Sequence, residues 1–196
     1  MVDQKTRIKW DFNISKWDSS RINFWGITKS GNTSIKKALI KKQNPDIQSS
    51  DPSDQWVHSF DYAEYITREE ALQNGYYNFT VVRDPYQRFL SMYKDSLIRP
   101  HIYNMRIENQ QQLIAHVCSK PDEQLNMHLR SQSYFVGYED CIDFYKLEEI
   151  GDVSPMGLEV EHTNAISGKI EFEDGVKEMV ETRYRQDFEM FGYDYD

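Results

Sequence analysis

Hydrophobic and polar positions divide the chain into short apolar runs and longer stretches with apolar residues at helical spacing. Apolar runs predict four strands, one just after Arg21 and the others at residues 55–60, 76–82 and 142–147. Helical spacing or capping residues predict helices after the first strand to about residue 43, at 67–75, from Asp84-Pro85 onward, over 109–130 with a break near Pro121, and over 173–191. Residues 151–170 are predicted to form a mobile loop.

The order of these elements predicts the fold class. Strands that alternate with helices are typical of an α/β protein with a mainly parallel central sheet flanked by helices. A length of 196 residues suits one domain. We therefore expect a polar lead-in over residues 1–19, with one short strand or turn, and a single domain over residues 20–196.

The first strand runs into a loop that is suited to an anion. Asn32 or Thr33 is predicted to cap the following helix, whose free N–H groups and positive dipole end attract a phosphate or sulfate. Gly26 and Gly31 have the spacing of a Walker A loop, but Lys29 precedes the second glycine, where a Walker A lysine follows it. The alternative is a tight strand-to-helix turn without a ligand. The predicted ligand groups are those of Lys29, Ser30, Gly31, Asn32, Thr33 and Ser34.

A second motif follows the strand at 76–82. Arg83 occupies the position where an NTPase would carry a metal-binding carboxylate, and Ser91 lies two turns into the next helix. An arginine and a hydroxyl in this arrangement predict a phosphate clamp. The alternative is that Arg83 pairs with Asp84 or a helix end and that Ser91 is only a surface residue.

Composition narrows the classes of partner. The net charge of −9 argues against a general binder of nucleic acid or of acidic membranes, so an anion needs a local basic site. No metal-ligand spacing is present, the two cysteines are isolated, and no apolar run has the length of a membrane span. Residues 32–34 form a glycosylation sequon, and a glycan attached there would block the anion loop. This favours a cytoplasmic location. The basic candidates are Lys29, Lys36, Lys37, Lys41 and Lys42, of which the last four are equally well explained as a solvated helix face.

Together the two motifs resemble those of the sulfotransferases that use 3′-phosphoadenylyl sulfate (PAPS). Residues 29–34 look like their 5′-phosphosulfate loop, and Arg83-Asp84-Pro85-x-x-Arg88-x-x-Ser91 looks like their 3′-phosphate motif. Residues 144–148 and 184–193 resemble the carbohydrate branch of these enzymes. The resemblance implies a P-loop-like three-layer fold, PAPS as co-substrate, adenosine 3′,5′-bisphosphate (PAP) as product, no metal, and a hydroxyl acceptor that is a glycan. The chain lacks the G-x-x-G-x-W-K segment of the cytosolic small-molecule enzymes.

Sulfuryl transfer also needs a base for the acceptor's proton. His58 ends the predicted second strand, where the glycan-directed relatives often carry a base, and imidazole titrates near neutral pH. A core histidine between Trp56 and Phe60 is the alternative, and Asp61, Glu64 and His128 are further candidates. Two other functions stay open at this point: a P-loop kinase, and a non-catalytic module that binds PAP or another bisphosphonucleotide. Neither the acceptor nor the oligomeric state follows from the sequence.

Overall fold

The structure is a computed structural model that describes residues 13–47, 55–58, 61–151, 157–160 and 170–195. The chain divides into two compact units, residues 1–82 with 138–163 and residues 83–137 with 164–196. The first unit contains the β-sheet. The described part of the second unit is helical.

Five strands form one mixed sheet in the order β3-β1-β2-β4-β5. β1 pairs with β2 and β3 in antiparallel register, whereas β4 pairs with β2 and β5 in parallel register. Only β1 therefore runs against the other four strands, which confirms a mainly parallel sheet. The strands are β1 (Ile14–Trp17), β2 (Ile22–Trp25), β3 (Glu64–Ile66), β4 (Tyr77–Val82) and β5 (Ile142–Lys146).

Helices of very different lengths connect and follow these strands. In the first unit they are α1 (Asn32–Gln43) and α2 (Arg68–Gln73). In the second unit they are α3 (Pro85–Ile98), α4 (Pro100–Tyr103), α5 (Gln110–Cys118), α6 (Gln132–Val136), α7 (Val176–Arg183) and α8 (Arg185–Phe191). Short 3₁₀ helices lie at Asp18–Ser20, Gln55–His58, Asp122–Gln124 and Leu147–Glu149.

Capping residues explain where several helices begin. Thr67 and Glu70 form the predicted capping box of α2, in which each side chain bonds to the other residue's backbone N–H. The Asp84 carboxylate accepts the N–H of Gln87 at 2.8 Å, and Pro85 is the first residue of α3. These local signals act within four residues, which is why the sequence alone predicts them.

Each unit has its own apolar core. In the first unit, residues of β2 and β4 pack with α1, and the rings of Phe24 and Phe79 lie 5.1 Å apart between centroids. All four residues of β2 are buried, as expected for a strand in the centre of a sheet. The second unit packs α3, α5, α7 and α8 around a cluster that includes Phe89, Leu113 and Phe188.

Four sequence predictions need correction or fall outside the described residues. The expected strand at 55–60 is wrong, because Gln55–His58 form a 3₁₀ helix that buries Val57 while β3 takes the place beside β1. The final helix is broken at Tyr184, which has a non-helical backbone and donates its hydroxyl to the Leu129 carbonyl at 2.9 Å. The expected cap at Asn32 or Thr33 is also wrong, since Gly31 precedes the first residue of α1. The loop predicted at 151–170 lies largely outside the described residues.

Candidate active site

The loop between β2 and α1 brings a lysine to a helix N-terminus. Lys29 and Gly31 both have left-handed backbones, with φ of 66° and 75°. This conformation is unfavourable for lysine and easy for glycine. Gly31 offers no side chain to cap α1, so no N-cap side chain satisfies the N–H groups of the first turn. The N-terminus of α1 therefore offers backbone donors and a partial positive charge to an anion.

Packing explains both glycines of this loop. A Cβ at Gly26 would lie 2.6 Å from the Asn13 amide nitrogen and 2.6 Å from the Asn32 side-chain oxygen. A Cβ at Gly31 would lie 2.7 Å from a methyl group of Leu147, in addition to the strain of its positive φ. The two glycines with Walker A spacing therefore have structural reasons of their own. Gly26 leaves room for nearby side chains, and Gly31 leaves room for Leu147 and adopts a left-handed backbone.

The predicted ligand residues of the loop differ in exposure. Lys29, Gly31, Asn32 and Thr33 are half-buried, whereas Ser30 and Ser34 are buried. The Asn32 side-chain oxygen is buried and has no hydrogen-bond partner within the part of the chain that the structure describes. Lys29 and the first residues of α1 are therefore the more accessible part of this segment.

His58 lies beside this loop, although not at the end of a strand. Its Nε2 atom is 3.3 Å from the Thr33 hydroxyl oxygen, and its backbone carbonyl accepts a hydrogen bond from the Tyr65 hydroxyl at 3.4 Å. The structure thus places His58, the predicted base, next to Thr33, one of the residues predicted to bind the anion. The predicted strand at 55–60 does not produce this contact, because residues 55–58 form a 3₁₀ helix.

Lys36 is buried rather than part of a solvated basic face. Its ammonium group donates to the Asn13 side-chain oxygen at 2.9 Å and to the Tyr65 hydroxyl at 2.7 Å, and its side chain is 0% exposed. Burial lowers the pKa of Lys36 to about 7 and raises the pKa of Tyr65 to about 12. Asn13 in turn bonds to both backbone groups of Gly26, so this network supports the start of the loop.

In the second unit, Arg83 lies directly between the end of β4 and the cap of α3. Arg83 and Ser91 are both half-buried. Arg88, from the same motif, is 1% exposed and donates to the Arg130 carbonyl at 2.7 Å. Arg88 therefore has a structural role, whereas Arg83 and Ser91 remain partly accessible.

The other base candidates have different surroundings. Glu64 forms an ion pair with Lys16 at 2.6 Å, and Asp61 is exposed. The Nδ1 atom of His128, in the second unit, lies 2.8 Å from the Asn126 side-chain oxygen. Of the four candidates, His58 has a described contact with the loop.

Two features of the first unit had no local signal in the sequence. One is the buried Lys36, because its spacing within α1 does not separate it from the surface lysines. The other is a cavity of about 280 Å³ on β5, lined by Phe144, Tyr145, Lys146 and Glu149. Phe144 is 44% exposed there.

Comparison with known proteins assigns the family. The sequence model of the sulfotransferase family matches residues 10–154, a span that includes both the loop and the Arg83 motif. The chain belongs to the sulfotransferase family. Searches of curated proteins and of solved structures gave no match.

Family membership supports an enzyme that transfers a sulfuryl group, and such enzymes generally use PAPS as co-substrate. Within the described residues of this sulfotransferase, no three His, Cys, Asp or Glu side chains are grouped as a metal site. The helices in the described part of the chain are too short or too polar to cross a membrane.

Proposed function

We propose that this sulfotransferase transfers the sulfuryl group of PAPS to a hydroxyl group of a carbohydrate. The observation that carries the proposal is the N-terminus of α1, which has no side-chain cap and follows a loop with Lys29. The three parallel strands β2, β4 and β5, with this loop directly after β2, also support a P-loop-like fold.

Two predicted motifs would bind the donor. Lys29, the hydroxyls of Ser30, Thr33 and Ser34, and the backbone of residues 31 and 32 would hold the 5′-phosphosulfate. Arg83 and Ser91 would hold the 3′-phosphate. An arginine suits this role because its planar guanidinium donates two parallel hydrogen bonds to one phosphate.

The reaction is an in-line displacement at sulfur. The acceptor oxygen forms a bond to sulfur while the bond between sulfur and the phosphate oxygen breaks, and PAP leaves with that electron pair. The ammonium group of Lys29 and the N–H groups at the start of α1 stabilise the charge that develops on the leaving oxygen. His58 takes the proton of the acceptor hydroxyl. The contact between His58 and Thr33 supports this role, because it ties the imidazole to the donor loop.

Support for a carbohydrate acceptor comes from the sequence resemblance of residues 144–148 and 184–193 to the carbohydrate branch. Support for PAPS rather than ATP comes from Arg83, which stands where a kinase needs a metal-binding carboxylate. Sulfuryl transfer leaves no γ-phosphate to be neutralised, so its chemistry does not call for a metal.

Turnover of sulfur-labelled PAPS with a panel of glycans, phenols and amines tests the proposal. We expect labelled glycan as product, and we expect PAP to raise the melting temperature in the absence of magnesium, since a native-state ligand stabilises by mass action. ATP should stabilise much less. A strict magnesium requirement with equal stabilisation by ATP would favour a kinase, and PAP binding without turnover of any acceptor would favour a binding module.

A further inference from the structure

Gln132 bonds to both backbone groups of Arg83. Its side-chain oxygen accepts the Arg83 N–H at 2.8 Å, and its side-chain nitrogen donates to the Arg83 carbonyl at 2.8 Å. The Gln132 side chain is 0% exposed. The Gln132 side-chain amide thus donates one hydrogen bond to the backbone of Arg83 and accepts another, as the backbone of a neighbouring strand would.

The position of Arg83 explains why such a partner is needed. Val82 is the last residue of β4, and Asp84 is already the N-cap of α3, with φ of −44° and ψ of 123°. Arg83 therefore lies between the strand and the helix, and the described hydrogen bonds of its backbone N–H and carbonyl go to Gln132. A half-buried backbone group without a partner is destabilising, so the Gln132 amide fixes the conformation of this junction.

Gln132 is itself held by a buried carboxylate. Asp187, on α8, accepts the backbone N–H of Gln132 through one oxygen and that of Ser133 through the other, each at 2.8 Å. These are the first two residues of α6, and Ser131 provides no side-chain cap. Burial raises the pKa of Asp187, while the Arg88 guanidinium and the two N–H donors oppose that shift. A fixed chain of contacts therefore leads from Asp187 through Gln132 to Arg83.

We propose that Gln132 is a positioning residue for the 3′-phosphate site, which orients Arg83 by holding its backbone. The inference rests on the proposed function, since it assumes that Arg83 binds the 3′-phosphate of the donor. Gln132 does not itself contact the nucleotide in this proposal. Its loss should therefore weaken recognition of the 3′-phosphate while leaving recognition of the 5′-phosphate intact.

The chain offers a matched control in Gln110. This glutamine is 2% exposed and lies in the same unit, where its amide donates to the Glu171 carbonyl at 2.7 Å and accepts the Glu173 N–H at 3.4 Å. Gln110→Met and Gln132→Met thus remove the same kind of buried amide bridge between backbone groups. Only Gln132→Met removes the bridge to Arg83.

The test compares the affinities of PAP and adenosine 5′-monophosphate (AMP), which differ in the 3′-phosphate, by titration calorimetry. Gln132→Met should lower the preference for PAP over AMP about ten- to a hundredfold, the change in affinity expected when a hydrogen bond to a charged group is lost. Gln110→Met should leave the preference unchanged. In parallel, hydrogen exchange of the Arg83 amide should accelerate in Gln132→Met alone.

The outcomes separate this inference from the proposed function. If the wild-type protein does not prefer PAP over AMP, the proposed function fails and the inference fails with it. If the wild-type protein prefers PAP and Gln132→Met keeps that preference, the inference alone is overturned. Should Gln132→Met not fold, Gln132→Glu with the control Gln110→Glu takes its place. It keeps an acceptor for the Arg83 N–H but loses the donor, and an unchanged preference in that variant would equally overturn the inference.

Discussion

The burial of Lys36 predicts that the stability of this protein depends on pH. The pKa of Lys36 is about 7 in the folded protein, against 10.5 as its ordinary value, because its ammonium group is buried. Between these two pH values the unfolded chain carries a proton on Lys36 that the folded chain has released. The free energy of unfolding therefore rises with pH in this window, by up to about 1.4 kcal/mol per pH unit.

The two pKa values of Lys36 set the size of the expected change in the free energy of unfolding. From pH 7 to pH 9 the contribution of Lys36 to the free energy of unfolding should increase by about 2 kcal/mol, because folded Lys36 is already half deprotonated at pH 7. Above pH 10.5 the gain should end. Raised pKa values of buried tyrosines act in the opposite direction there, since they favour unfolding at high pH.

Urea unfolding followed by tryptophan fluorescence at pH 7, 8 and 9 measures this effect. Lys36→Met removes the titrating group and keeps an unbranched apolar stem, so the difference in stability between wild type and variant should change by about 2 kcal/mol over the series. Lys42→Met, an exposed position on the same helix, is the control and should follow the wild type. Parallel curves for wild type and Lys36→Met would refute the argument from burial.

Three further predictions test the proposed roles of single residues. Lys29→Ala should lower the turnover of PAPS more than it lowers the affinity for PAP, because its contact strengthens as the leaving oxygen gains charge, and a change in KM alone would contradict that role. Arg83→Ala should weaken PAP binding by about 1.5–3 kcal/mol, the usual contribution of a hydrogen bond to a charged group, as measured by calorimetry. An unchanged affinity would remove Arg83 from the site. His58→Gln should keep PAP affinity and lower turnover about 10²- to 10⁴-fold, whereas full activity would exclude His58 as the base.

Local signals in the sequence were enough for the strands β2, β4 and β5 and for the starts of α2 and α3. The capping box at Thr67 and the Asp84-Pro85 cap depend on bonds between residues that are neighbours in the chain. The parallel sheet and the loop after β2 follow from apolar runs long enough to be recognised. These patterns predict the elements correctly because no distant contact is needed to form them.

The errors arise where a short apolar segment depends on distant partners. Residues 55–58 have a strand-like composition, yet a 3₁₀ helix buries Val57 and leaves the sheet edge to Glu64–Ile66. Residues 173–191 have helical periodicity, but the Tyr184 hydroxyl reaches the Leu129 carbonyl and the helix breaks at that residue. In both cases a tertiary contact outweighs local preference, which amounts to only a fraction of a kilocalorie per mole for each residue.

The sequence by itself predicted a lysine and hydroxyl groups at the start of one helix and an arginine before another, and with them the resemblance to sulfotransferases. Only the tertiary structure decided which charged groups are buried and what holds the loops in place. Lys36 and Lys42 belong to one helix and differ only in what packs against them, and nothing near Gln132 in the chain indicates that its amide bridges the backbone of Arg83. Burial and long-range hydrogen bonds are properties of contacts between distant segments, so they exist only once the chain has folded.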